Sequence, residues 1–262
     1  MLAFMNRARL LGVVLAAAGC SHGEATSASE PRSAHPEHAT TPPATTAQAS
    51  APDLRRHMLA LYWIATKARD AVVAGDMPGA KQAAKVLADH DYAGTVPDDW
   101  RHWLTRMRQR ADEISLAPNL EATARSVAAL GEACGECHAQ LQEGPHFRRR
   151  EALAWRDPPD QLDERMYRHD VGADQLWVGL IRPSETAWQS GTMTLTRAPL
   201  SAPQHEGEEV HPLLAVRIEE IRGLAKQARA ARSGVARAAV YGELLSRCAS
   251  CHFQARAADP GE

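Results

Sequence analysis

Four of the five cysteines in this 262-residue sequence fall in two copies of one pentapeptide, Cys134-Gly135-Glu136-Cys137-His138 and Cys248-Ala249-Ser250-Cys251-His252. On a helix, positions i, i+3 and i+4 project from one face, so each copy aims two thiols and one imidazole in a single direction. Such a set suits one flat macrocycle. The two thiols add across the vinyl groups of a haem, and the adjacent imidazole coordinates the iron from the same side. Three other chemistries use the same residue types. A redox-active dithiol of the thioredoxin kind sits beside a βαβ pattern, and this sequence shows none. A four-thiolate zinc site brings the two motifs together and leaves both histidines without a role. A structural disulfide within each motif is the third. Because the histidine follows the cysteine pair in both copies, the expected cofactors are two covalently bound haem c groups.

The elements that position these motifs read as helices. From Leu54 the sequence is rich in alanine, with few aromatic residues and few β-branched runs. Met58, Leu61, Tyr62, Ala65, Ala68 and Val72 keep helical spacing, and Gly75-Asp76 with Pro78 ends that helix and starts the next. A second helix to about His90 lines up Ala80, Ala83, Ala84 and Leu87. A third opens at Pro97 with Asp98 and Asp99 in its first turn, where the helix dipole favours acids. It carries Trp100, Trp103, Leu104, Met107, Ala111 and Ile114. The fourth runs from about Pro118 through Leu120, Val127, Leu130 and Cys134 to His138. Four helices on short connections favour an antiparallel bundle.

The same order recurs further along the chain. Placing Met58 on Met166 also places Ala65 on Ala173, Ala68 on Leu176, Val72 on Leu180 and Val73 on Ile181. Asp76 falls on Ser184, and both residue types cap helix N-termini. Leu214, Ile218, Ile221, Leu224 and Ala228 mark the third helix of the second half. Tyr241, Leu244, Leu245, Cys248 and His252 mark its fourth. The weak element is the second helix around Trp188 and Leu195, because Gly191, Thr192, Thr194 and Thr196 lower helix propensity. The expected fold is all-α, with two tandem four-helix-bundle haem domains at 54–143 and 160–256. They are joined by a linker at 144–159 that contains Arg148, Arg149 and Arg150, a run that ordinarily makes a solvated face.

In the order of its elements and the placement of Cys-x-x-Cys-His on the last helix, each half resembles the class II cytochromes c, the cytochrome c′ and c-556 group. The resemblance covers about 54–255. It implies that a methionine near the start of the first helix supplies the second axial iron ligand, a role that falls on Met58 and Met166. His169 lies three residues after Met166 on the same face and is the alternative ligand there. A methionine on an apolar helix face otherwise fills a core gap, and His169 otherwise serves as a polar or supporting residue. His90, His102 and His146 have no partner in the repeat and read as satisfied or solvated histidines.

The N-terminus reads as a processing signal. Arg7 and Arg9 precede the apolar run Leu10 to Ala18, which is too short to span a bilayer as a stable helix. Ala17-Ala18-Gly19-Cys20 resembles a bacterial lipobox, implying removal of residues 1–19 and acylation of Cys20. Residues 20–53, rich in Ser, Thr, Ala and Pro, are then a disordered tether that lacks the apolar surface to fold. The expected location is the bacterial cell envelope, as a periplasm-facing lipoprotein. A formal net charge of -2 gives no basic excess for a phosphate backbone, so nucleic acid is not an expected partner.

No Ser-His-Asp, phosphate-binding or metal-hydrolase constellation accompanies the motifs. The expected function is therefore electron transfer with other redox proteins, without catalysis. Two further readings need an open iron: a dihaem peroxidase-like enzyme, and a gas-binding or sensing protein like cytochrome c′.

Overall fold

Alanine-rich stretches with apolar residues three and four apart bury one stripe of a helix, and that pattern organises the whole of the folded chain. The computed structural model describes residues 51–90, 96–142, 144, 162–197 and 212–258. Residues 1–50 lie outside these, and so do most of the 144–159 linker, including Arg148 to Arg150, and His146. The expectations for the signal segment and Cys20 therefore fall outside the described residues. The fold is all-α. Among the described residues there are eight α-helices, one 3-10 turn at Asp98–Trp100, and no strand. None of these helices is long and apolar enough to cross a membrane.

The first half contains α1 (Ala51–Val73), α2 (Met77–Asp89), α3 (Arg101–Leu116) and α4 (Leu120–Leu141). The second contains α5 (Leu162–Ile181), α6 (Glu185–Arg197), α7 (Pro212–Ala228) and α8 (Gly234–Ala258). Helix α1 begins three residues before Leu54, inside the stretch assigned to the tether. Proline is tolerated in a first helical turn, and Asp53 there meets the positive end of the dipole, so Pro52 and Asp53 start the helix.

The local signals at the helix ends behave as capping chemistry requires. Gly75 takes a positive φ of 69° after α1, and the Asp76 side chain accepts from the Gly79 amide at 3.0 Å to open α2. Ser184 accepts from the Ala187 amide at 3.2 Å and opens α6 in the same way. The last helices of the two halves are capped alike. Asn119 accepts from Ala122 at 2.8 Å and Ser233 from Ala236 at 3.2 Å, capping α4 and α8 one residue before their first turns.

Helix α6 forms despite its threonines and glycine. The hydroxyls of Thr192 and Thr196 donate back to the carbonyls of Gln189 and Thr192, and Thr194 donates to Gln175 on α5. Gly191 lies so close to α5 that a Cβ there would come within 2.7 Å of the Gly172 carbonyl oxygen. The residues that weaken α6 in isolation are the ones that let it dock.

Within each half, helices adjacent in sequence pack on one another, and α1 also packs on α4 and α5 on α8. Across the halves, α8 packs on α4 and α1, and α5 packs on α4. One hydrophobic cluster consequently takes side chains from all eight helices, among them Leu61, Leu87, Ile114, Leu130, Leu176, Trp188, Ala225 and Tyr241. Polar groups close the seam between the halves. Buried Arg69 on α1 reaches Asp174 on α5 at 3.0 Å and its neighbour Asp70 at 2.5 Å. The Trp177 indole donates across the seam to Thr66 at 3.1 Å, and within the second half the Tyr241 hydroxyl donates to the Ala173 carbonyl at 3.1 Å.

Candidate functional site

Both Cys-x-x-Cys-His motifs lie on helices, the first in the last turns of α4 and the second in the corresponding part of α8. The i, i+3, i+4 geometry read from the sequence is therefore present in both. All four cysteines are free thiols and half-buried. Burial pushes the Cys134 and Cys248 thiols up to about 12 and Cys137 to about 11, and it raises Cys251 as well. At neutral pH these groups are uncharged thiols. A redox-active dithiol needs the opposite environment, one that lowers the thiol pKa and supplies thiolate.

His138 is oriented by a contact from the other half. Its Nδ1 lies 2.8 Å from the backbone carbonyl oxygen of Ile181 at the end of α5. A carbonyl only accepts, so Nδ1 carries the proton and donates. The Nε2 lone pair is then left for a metal, the arrangement in which ligating histidines are held by their other nitrogen. Burial also lowers the His138 pKa, which keeps the ring neutral. On the opposite flank of α4, Arg106 of α3 pairs with Glu136, inside the motif, and with Glu132 one turn earlier at 3.5 Å. These donors fit an iron macrocycle attached from one side: two neutral thiols and a tautomerically fixed imidazole on one helical face.

A chain of contacts brings Met58 to the level of this motif. His57 packs against His90 with ring centroids 4.8 Å apart, Arg108 donates to the His90 carbonyl, and Arg106 on the same turn of α3 reaches Glu132 and Glu136. The start of α1, the end of α2, the middle of α3 and the end of α4 thus share one level. Met58 is half-buried and packs against the core. In the second half, Tyr241 of α8 meets Ala173 of α5. With α5 and α8 antiparallel, Met166 falls level with Cys248, seven residues away on each helix. His169, buried, is one turn nearer the middle of α5. Met166 is half-buried, as is His252.

The two motifs do not meet. On the α4–α8 pair, Gly242 faces Arg125 and Gly234 faces Glu132, while Arg125 also reaches Glu243 at 3.3 Å. Residue numbers rise on one helix as they fall on the other, so the pair is antiparallel. At 1.5 Å of rise per residue the motif centres stand about 30 Å apart along the axis. Four thiolates cannot gather on one ion across that span. Among the described residues, no group of three or more His, Cys, Asp or Glu side chains is placed to hold a metal ion.

Sequence reasoning found the motif residues and missed what surrounds them. It treated Gly135 as a free position in the pentapeptide, although a Cβ there would overlap the Leu180 carbonyl oxygen. It also assigned no role to Arg69, Asp174 or Trp177, which tie the halves together. A glycine one turn earlier, at 131, is the one available hint, since Gly-x-x-x-Gly permits close helix approach. At Gly131 the neighbour is the Trp177 ring.

The antiparallel register is open to direct measurement. With Cys20 replaced by Ser and the four motif cysteines replaced by Ala, spin labels at Ala139→Cys and Gln254→Cys, both on exposed sites, should lie about 40 Å apart by dipolar electron resonance, from the helical rise. A separation of about 15 Å or less would mean that α4 and α8 run parallel.

No protein-family model, no curated protein and no solved structure matches the chain.

Proposed function

We propose that this chain is a c-type cytochrome that carries two covalently attached haems, one on α4 and one on α8, each within a four-helix haem-binding half. It passes electrons between redox proteins. The observation that carries this reading is His138, whose Nδ1 donates to the Ile181 carbonyl and leaves Nε2 for iron, beside two uncharged thiols on the same helical face. When bound, each haem supplies one-electron iron chemistry, and the protein supplies attachment, orientation and exclusion of water.

Cys134, Cys137, Cys248 and Cys251 would hold the two haems covalently, and His138 and His252 would coordinate their irons. Met58 and Met166 are proposed for the opposite side, with His169 as the alternative to Met166. A six-coordinate iron has no place for substrate, which is why electron transfer is favoured over peroxidase or gas-binding activity. Thioether sulfur opposite imidazole favours a higher potential than a second imidazole. We further propose that the chain is a periplasm-facing lipoprotein held at the membrane through acylated Cys20.

Haem content tests the core of the proposal. The denatured wild-type protein should retain two haems per chain, and replacing Cys134 and Cys137 together with alanine should leave one. Zinc without haem in the purified protein would exclude the reading.

Ligand identity is separable by spectra. Met58→Ala should convert one haem to a high-spin form that binds carbon monoxide and leave the other low-spin. Of Met166→Ala and His169→Ala, the one that removes the true ligand should do the same at the second haem. An unchanged spectrum for Met58→Ala would remove that residue from the ligand set.

The anchor is tested by fractionation. Wild-type protein should partition with membranes, and Cys20→Ser should move it to the soluble extracytoplasmic fraction or halt its processing. Soluble, unacylated wild-type protein would rule the anchor out.

A further inference from the structure

Helix α5 belongs to the second half, yet its end lies on the motif of the first. The order of contacts is the same on both helices: Trp177 against Gly131, Leu180 against Gly135, and Ile181 against His138. The two helices therefore run in the same direction here. The last carbonyls of a helix have no amide of their own helix to pair with. After α5 the chain turns away, with the Arg182 and Ser184 amides donating to Val178 and Gly179. The Leu180 and Ile181 carbonyls are thus outside the helical ladder and point at α4. One lies flush on Gly135 and the other accepts from His138. Their approach depends on the missing side chain at Gly135, where a Cβ would overlap the Leu180 oxygen. The second motif has alanine in that place, Ala249.

Resting on the haem reading above, we propose that the C-terminal carbonyls of α5 are a positioning device for the first haem, through which the second half of the chain sets that haem's reduction potential. Gly135 is the residue that admits them. A carbonyl accepting from Nδ1–H makes the imidazole a stronger donor to iron through Nε2. The negative end of the α5 dipole acts in the same direction. Both stabilise the ferric state and lower the potential. The two haems are then unequal by construction, although their attachment motifs are alike.

The test uses the full-length protein with haem attached. Haem content is measured first on denatured Gly135→Ala and wild type. Absence of haem from both would defeat the haem reading itself, an outcome distinct from failure of the carbonyl device. With both haems present, Gly135→Ala should shift the potential of one haem in the positive direction. The other haem should keep its value. A purely structural role for Gly135 would cost stability without moving either potential. Should Gly135→Ala fail to accumulate, the wild-type protein answers alone. The His138 Nδ1 proton should exchange slowly and show an Overhauser contact to the α-proton of Ile181 or Arg182. Both haems present with the potentials unmoved in Gly135→Ala, or no such contact in wild type, would overturn the inference.

Discussion

The close antiparallel packing of α4 on α8 is the contact on which the remaining arrangement depends. Small residues make it possible: Gly242 sits where a Cβ would meet the Arg125 backbone at 3.0 Å, and Ala124 and Ala128 are fully buried. Each helix ends its own half and carries its own motif. Joining them head to tail sends the motifs to opposite ends and leaves α1 and α5 to cover the flanks. Helix α1 lies on α8 and α5 on α4, so each half's first helix borders the other half's last.

Polar groups at that seam set the register as the apolar core alone does not. Arg69 is 5% exposed, and a buried guanidinium is costly unless its charge is met. Asp70 supplies one partner from the same helix and Asp174 another from the second half. The buried Trp177 indole likewise finds its acceptor, Thr66, on the other half. A shift of either half by one turn would break these bonds and leave polar groups buried without partners. The same packing half-buries the motif cysteines, and that burial pushes their thiol pKa values up.

Much of the site was legible because its signals are local. The periodicity of Leu61, Ala65, Ala68 and Val72 identifies the buried face of α1, and all four are buried. Asp76 and Ser184 cap helices where the repeat places them. Cysteines and histidine at i, i+3 and i+4 share a face as soon as a helix forms, whatever else it touches. The reading of α6 as weak was correct as a propensity, and packing against α5 outweighed it.

By itself, then, the sequence determined that the chain is helical, where several of its helices are capped, and which faces carry thiols and imidazoles. Hydrogen bonds and side-chain spacings within a few residues decide such matters. It did not determine that α4 meets α8, that the halves share one core, or that α5 supplies the carbonyl for His138. Residues 138 and 181 are forty-three positions apart, and their meeting depends on how surfaces far apart in the chain fit together. Gly135 illustrates the difference: within the motif any residue serves, and only the helix that presses on it requires that there be no side chain.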